Sequence, residues 1–372
     1  MNLDNIHQYE PDIRLEDIDA VTNYLKSGGF LTEYKKTREF EHLIANFCGC
    51  SEVSIFPNGT LTLYSILKQL KISHGKKIVV PNYTMAATAF VVEEIGAEII
   101  FCDIEWPSLC ISKKHFLEIL EREQGQISAL IFMPANGRFP TYEIDELIAI
   151  CESNNISFIE DSAQALGSYY LDGQHIGTKG IAGSISFSMP KIITTGQGGA
   201  IISNNKEFME KIKIYRDFGR LKGGGADFHD EFGMNFKFTD LQSVLGISQL
   251  KRIKKIIDIK KNNYLSFKKI ISNKYLYLNE NNIEFTTPWF YEIITKHQFE
   301  FMEWLKLNNI GCRLMYPELN KQKAFRFHKQ HNETFKISQK ISNQGVWIPS
   351  HPRLNDQQIF QIAEIINKFK PK

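Results

Sequence analysis

The sequence predicts an α/β chain. It has a large, mainly parallel, doubly wound sheet of seven strands with helices on both faces, followed by a smaller α+β unit. Three observations predict it. Seven short apolar runs alternate with amphipathic segments from Ser54 onward, the pattern of strands joined by crossover helices. The alternation stops near residue 240, where a long helical stretch begins. The chain has 372 residues, 43% of them hydrophobic with 27 Phe and 14 Tyr, which is material for two cores.

In chain order, two helices come first, Leu15–Ser27 and Glu33–Cys48, joined by the turn Gly28-Gly29-Phe30-Leu31-Thr32. The strands follow at Ser54–Phe56, Lys77–Pro81, Glu98–Cys102, Ala129–Pro134, Ser157–Glu160, Ser184–Ser188 and Gly199–Ser203. Between them lie helices at Thr60–Ile72, Met85–Ile95, Lys113–Arg122, Glu143–Ser153 and Lys206–Arg216. Asp240–Ile270 reads as one long helical stretch whose Lys251, Arg252, Lys254, Lys255, Lys260 and Lys261 make a solvated face. Short strands at Tyr275–Leu278 and Glu284–Thr287 and a closing helix, Asp356–Phe369, complete the smaller unit. The division expected is 1–245 for the large unit with its N-terminal helices and 246–372 for the small one.

Composition narrows the function. Lys plus Arg number 44 against 42 Asp plus Glu, so no broad basic field favours a nucleic acid. No segment approaches the ~18 consecutive apolar residues of a membrane helix. The polar start, with Asp4 and Glu10, lacks the blocks of a signal peptide. Six scattered cysteines make no disulfide framework, and Cys48-Gly49-Cys50 has no partner pair at metal-ligand spacing. These features lead us to expect a cytoplasmic protein without a metal site.

Three places carry candidate chemistry. The strand Ser157–Glu160 runs into Asp161-Ser162-Ala163-Gln164, putting carboxylates at the sheet's carboxyl edge, where α/β ligands collect. Taken alone, Asp161 also reads as a helix N-cap. Lys191 lies between an apolar strand and the glycine-rich turn Gly196-Gln197-Gly198-Gly199. A desolvated lysine there can form a Schiff base, although an isolated loop lysine is commoner. Pro57-Asn58-Gly59-Thr60 follows a strand and opens a helix, and such a helix start holds anions as readily as it caps itself. An anion anchor, a strand-end acid and a lysine thirty residues later are together the parts that pyridoxal phosphate needs.

On these residues the chain resembles the PLP-dependent sugar aminotransferases of the DegT/DnrJ/StrS group, which have the fold type I aminotransferase architecture. Ser27 to Thr32 is similar to that family's SGW-LT turn, Asn58-Gly59-Thr60 to its SGT loop, and Val80 to Thr84 to VPSFT. Glu160 to Gly167 resembles EDAAQAHG, Ser186-Phe187 with Lys191 to Gly199 resembles SF…K…TTGEGG, and Gly233 to Lys237 resembles GxNYR. Gly311 to Pro317 is similar to the late G…Y-P loop. The resemblance covers nearly the whole chain.

The resemblance implies that Lys191 forms the internal aldimine and carries protons. By the same carry-over Asp161 pairs with the pyridine nitrogen and Gln164 with the 3-hydroxyl. Gly59, Thr60 and Ser186 would bind the phosphate, and Asn235 would reach it from the other subunit of a homodimer with shared sites. Met85 stands where an aromatic residue commonly covers the ring, and its sulfur can do the same. Other departures are Leu166 and Phe218 for histidines, Lys237 for arginine and Gln197 for glutamate. Phe30, Tyr83, Arg220, Arg313 and Tyr316 would border the substrate, with Asn136-Gly137-Arg138, Lys222 and His229 as further candidates, although each charge alone reads more readily as a surface charge. Gly223-Gly224-Gly225 reads as a hinge over the pocket or, more simply, as a surface loop.

The implied reaction moves an amino group from L-glutamate, by way of pyridoxamine phosphate, to the keto group of a nucleotide-linked deoxysugar. Its product would serve surface-polysaccharide or antibiotic-sugar synthesis. A smaller phosphorylated ketone or a keto-inositol is the alternative acceptor. A non-catalytic sugar-binding protein of this fold would dispense with Lys191 or Asp161. A nicotinamide dehydrogenase would need GxGxxG after the first strand, which Pro57-Asn58-Gly59-Thr60 does not supply.

Overall fold

The computed structural model describes residues 5–221 and 227–372. Helices α1 (Leu15–Lys26) and α2 (Lys35–Cys48) come first. Then β1 (Glu52–Phe56), α3 (Gly59–Gln69), β2 (Lys77–Pro81), α4 (Ala87–Glu94), β3 (Glu98–Cys102), α5 (Lys113–Glu123) and β4 (Ile127–Phe132) alternate. The series continues through α6 (Ile144–Ser153), β5 (Ser157–Glu160), β6 (Ala182–Ser186), β7 (Gly199–Ser203) and α7 (Lys206–Arg216). The seven strands form one sheet in the order β1-β7-β6-β5-β4-β2-β3. Only β7 runs against its neighbours, so the sheet is mainly parallel, as the alternation predicts.

Alternate strand residues enter opposite cores, as the two-residue repeat of a strand requires. Ile78, Val80, Ile99, Phe101 and Ile131 pack beneath α3, α4 and α7 with Leu63, Val92 and Ile212. Val79, Ile100, Leu130 and Phe132 meet Phe116, Ile119 and Leu147 of α5 and α6 on the other face. Such double burial is why these strands read as continuous apolar runs.

The long stretch after residue 240 is two helices, α8 (Asp240–Lys251) and α9 (Ile253–Ile270). The break falls at Arg252, whose guanidinium pairs with Asp12 and Asp17 and also donates to the Asp12 carbonyl at 2.6 Å. Helix α8 packs on α1 and α2, whereas α9 packs on the last helix. Lys260 departs from the expected solvated face. It is 1% exposed, with Nζ donating to the Ser350 carbonyl at 2.5 Å.

A second, antiparallel sheet follows, built from β8 (Tyr277–Leu278), β9 (Tyr291–Ile294), β10 (Arg313–Leu314) and β11 (Gly345–Ile348) in the order β10-β11-β9-β8. Helices α10 (Gln298–Leu307), α11 (Lys336–Gln344) and α12 (Asp356–Lys368) accompany it. The expected strand at 284–287 does not form. Tyr169 N–H donates to the Phe285 carbonyl at 2.8 Å and the Thr287 hydroxyl to the Gly167 carbonyl at 2.6 Å, so this segment is spent tying a loop. Among the described residues no helix is long and apolar enough to cross a membrane.

Candidate active site

A cavity of about 380 Å³ opens at the carboxyl edge of the large sheet, within the ~300–1,000 Å³ usual for small-molecule sites. It brings together Gly59, Thr60, Met85, Asp161, Gln164, Ser186 and Lys191. Gly59 and Thr60 lie in the first turn of α3, whose N-cap Asn58 accepts from Leu61 N–H at 2.9 Å. The remaining N–H groups of that turn face an open end, the arrangement that attracts anions. Gly199 allows this close assembly. A Cβ there would lie 2.6 Å from the Asn58 carbonyl carbon and 2.7 Å from Gly59 N.

Glu160 and Asp161 part company at the end of β5. Glu160 is wholly buried and accepts from Tyr170 Oη and from the N–H groups of Gly177, Lys179 and Gly180, all at 2.7–2.8 Å. It organises a loop and takes no part in the cavity. Asp161 faces the cavity, and its Oδ2 accepts from the Thr88 hydroxyl at 2.6 Å. Burial raises its pKa, while Thr88 and the nearby Lys191 charge oppose that rise.

Gln164 is half committed. Its Oε1 accepts from Asn136 N–H at 2.7 Å, which leaves the Nε2 amide as the donor for a ligand. Lys191 is the cavity's cation. Burial pushes its amine down to about 8, with Asp161 opposing the shift and Arg313 assisting it. Its Nζ lies 4.0 Å from the ring centroid of Trp289, and its carbonyl accepts from Tyr9 Oη at 2.8 Å.

Behind Lys191 lies an aromatic cluster. Trp289 stacks on Phe290 at 3.9 Å and meets Trp347 edge-on at 5.8 Å. Tyr316 meets Trp347 at 4.8 Å and Tyr83 at 5.7 Å, and the Arg313 guanidinium lies 4.7 Å over Trp347. Three predicted substrate residues, Tyr83, Arg313 and Tyr316, therefore join the aromatic cluster behind Trp289, outside the residues that line the cavity itself.

The sequence profile of the DegT/DnrJ/EryC1/StrS aminotransferase family matches residues 11–367. The chain belongs to that family. It is a pyridoxal-phosphate-dependent aminotransferase of the fold type I architecture. A GDP-perosamine synthase of Vibrio cholerae is 26% identical over 97% of this chain and 98% of its own. A UDP-4-amino-4,6-dideoxy-N-acetyl-beta-L-altrosamine transaminase of Campylobacter jejuni is 34% identical over 65% of this chain and 63% of its own. Among solved structures, Helicobacter pylori PseC, an aminotransferase of pseudoaminic acid biosynthesis, superposes with a TM-score of 0.88. It is 24% identical and covers 98% of both chains.

The aminotransferase cofactor fits the residues present. The cavity offers an anion-binding helix start at one end, a desolvated carboxylate with one oxygen already fixed, a free amide and a lysine of lowered pKa. A Cβ on Gly59 would come within 3.2 Å of Ser186 Cβ, so the helix start and Ser186 form one tight cradle.

Other predicted residues lie outside this cavity. Phe30 is exposed and packs on Tyr34, and Asn235 is exposed beside Asp217, which it bridges. Arg220 pairs with Asp217 and Asp227, both at 3.3 Å, and His229 Nδ1 lies 2.8 Å from the Phe218 carbonyl. Arg138 is buried and spent on Glu292 and on Asn281 Oδ1, so it holds the fold together instead of meeting a substrate. Lys222 and the Gly223-Gly224-Gly225 stretch lie outside the described residues.

Sequence reasoning missed Thr88, Tyr9 and Trp289. Thr88 had a weak signal, standing one turn after Thr84, whose hydroxyl it meets at 3.0 Å. Nothing local marks Tyr9 or Trp289, which arrive from segments distant in the chain.

Proposed function

We propose that this enzyme transfers the amino group of L-glutamate to a keto group on a nucleotide-linked deoxysugar. One observation carries the reading. Lys191 and the Asp161 carboxylate share a buried cavity whose far end is the N-terminus of α3. Support for the acceptor comes from the relatives, which are named for GDP- and UDP-linked amino sugars.

In this reading the N–H groups of Gly59 and Thr60, with the Ser186 hydroxyl, hold the cofactor's phosphate. Asp161, its geometry fixed by Thr88, pairs with the protonated ring nitrogen, and Gln164 Nε2 donates to the 3-hydroxyl. Met85 covers a ring face with its sulfur. When bound, pyridoxal phosphate supplies an electron sink that weakens bonds at the amine-bearing carbon. Lys191 anchors the cofactor and then carries the proton. An amine lowered to about 8 gives up its proton near working pH, as a general base must. Arg313, Tyr316 and Tyr83 border the substrate side, and Phe30 and Arg220 belong to the same reading. Residues 1–245 hold the cofactor and 246–372 close over it. Asn235 reaches the phosphate from a second copy of the chain, so the functional unit is a homodimer with shared sites.

The acceptor is tested by supplying L-glutamate with GDP- and UDP-linked keto-deoxysugars, a phosphorylated keto-triose and a keto-inositol, and measuring 2-oxoglutarate. Release only with the nucleotide-linked ketones supports the proposal. Release only with the small ketones overturns the acceptor, and turnover with another amino acid alone overturns the donor.

A further inference from the structure

The Nζ of Lys191 has, among the described residues, neither a hydrogen bond nor an ion pair, although burial pushes its amine down to about 8. What lies against it is an indole ring, 4.0 Å from nitrogen to ring centroid, well inside the ~6 Å range of a cation–π contact. The ring is fixed from two directions. Its Nε1–H donates to the carbonyl of Pro190, the residue before the lysine. Phe290 stacks on it at 3.9 Å with 22° between the planes, which occupies one face and leaves the other for Nζ.

Phe290 is itself clamped by Asn136, whose Oδ1 accepts from Phe290 N–H at 2.5 Å and whose Nδ2 donates to the Phe290 carbonyl at 2.7 Å. Asn136 then donates its own N–H to Gln164, a cavity residue. Asn136 adopts a left-handed φ of 57°, a conformation asparagine tolerates better than most side chains. The ring is thus held in place against Lys191, directly behind the residues that line the cavity.

We propose that Trp289 is a positioning residue for Lys191, its free face seating the ammonium form of the side chain at the cavity wall. The inference rests on the reading of Lys191 as the cofactor-bearing lysine. Two charges also act on Nζ: Asp161, from the end of β5, favours the ammonium form, and Arg313, from β10, disfavours it. Neither fixes a direction for the side chain, because neither is bonded to it. An indole face does, since the attraction is strongest over the ring.

The test titrates Lys191 directly in the full chain purified without pyridoxal phosphate. Carbamoylation of Lys191 by cyanate is followed by mass spectrometry across pH 6–10, and the rate rises as the amine loses its proton. In the native protein we expect the midpoint near 8. Trp289→Leu removes the face that favours the ammonium and is expected to lower the midpoint by about half a unit to one unit. Trp289→Phe keeps a weaker face and shifts it less, in the same direction; it stands as the test if the leucine variant does not fold. A purely structural role would admit water and move the midpoint up toward the ordinary lysine value. An unchanged or raised midpoint in a folded variant therefore overturns the proposal. The underlying reading fails separately, if Lys191→Ala still converts glutamate to 2-oxoglutarate at the native rate.

Discussion

Two adjacent carboxylates at the end of β5 show how finely the site is decided at the scale of single residues. Glu160 receives four donors and is inert, whereas Asp161 receives the Thr88 hydroxyl and a long bond from Ala163 N–H while it lines the cavity. A hydrogen bond to a charged group contributes ~1.5–3 kcal/mol. We expect Thr88→Val to weaken retention of pyridoxal phosphate about tenfold or more, measured by equilibrium dialysis, with the fold intact by circular dichroism. Unchanged retention would remove Thr88 from the site. Asp161 and Lys191 stood out in the sequence only as a set with Gly59-Thr60 and through the family resemblance, since alone the first also reads as an N-cap and the second as a loop lysine. Thr88 and Trp289 did not, because their roles depend on which segments of a folded chain meet.

At the scale of elements, the strands were legible because residues buried on both faces must be apolar throughout. The joint between β7 and α3 was half legible. Its glycines stood out, but their reason, a strand start pressed against a helix start, is a tertiary contact. Gly199→Ala would drive a methyl group into the Asn58–Gly59 backbone, which has no flexible side chain to yield. Loss of cofactor binding is the expected outcome, read from the visible absorbance of the purified variant.

Helix α9 was misread because a charged residue every few positions looks solvated until packing closes over one of them. Lys260 is that residue, and burial lowers its amine to about 7. The unfolded chain then binds more protons than the folded one from pH 7 up to about 10.5, so stability rises with pH across that window. Lys260→Met should remove this rise, up to about 1.4 kcal/mol per unit between pH 7 and 8, in denaturant titrations. An unchanged slope would mean that the buried amine keeps its proton.

At the scale of the whole molecule, the N-terminal segment binds the two sheets to the site. Ile6 bridges Ile310, the Gln8 carbonyl accepts from Ser350 N–H at 3.2 Å, and Tyr9 reaches the Lys191 carbonyl. None of this strap was legible, because its residues are short of pattern and meet partners hundreds of positions away. Shared sites in a homodimer make a prediction of their own. Inactive Lys191→Ala and Asn235→Ala chains, unfolded and refolded together, would form mixed dimers with one intact site each. Equal mixing should then recover about a quarter of native activity. Sites complete within one chain would recover nothing beyond the sum of the parents.

The central claim, that Lys191 carries the cofactor and the amino group of glutamate passes at this cavity, is tested most directly by one spectral titration. The protein is loaded with pyridoxal phosphate, its visible band is recorded, and L-glutamate is added beside a Lys191→Ala control. A band that glutamate bleaches, that Lys191→Ala does not form, and whose borohydride-reduced peptide contains Lys191 is the predicted result. A band formed equally well by Lys191→Ala, or one indifferent to glutamate in the native protein, would contradict it.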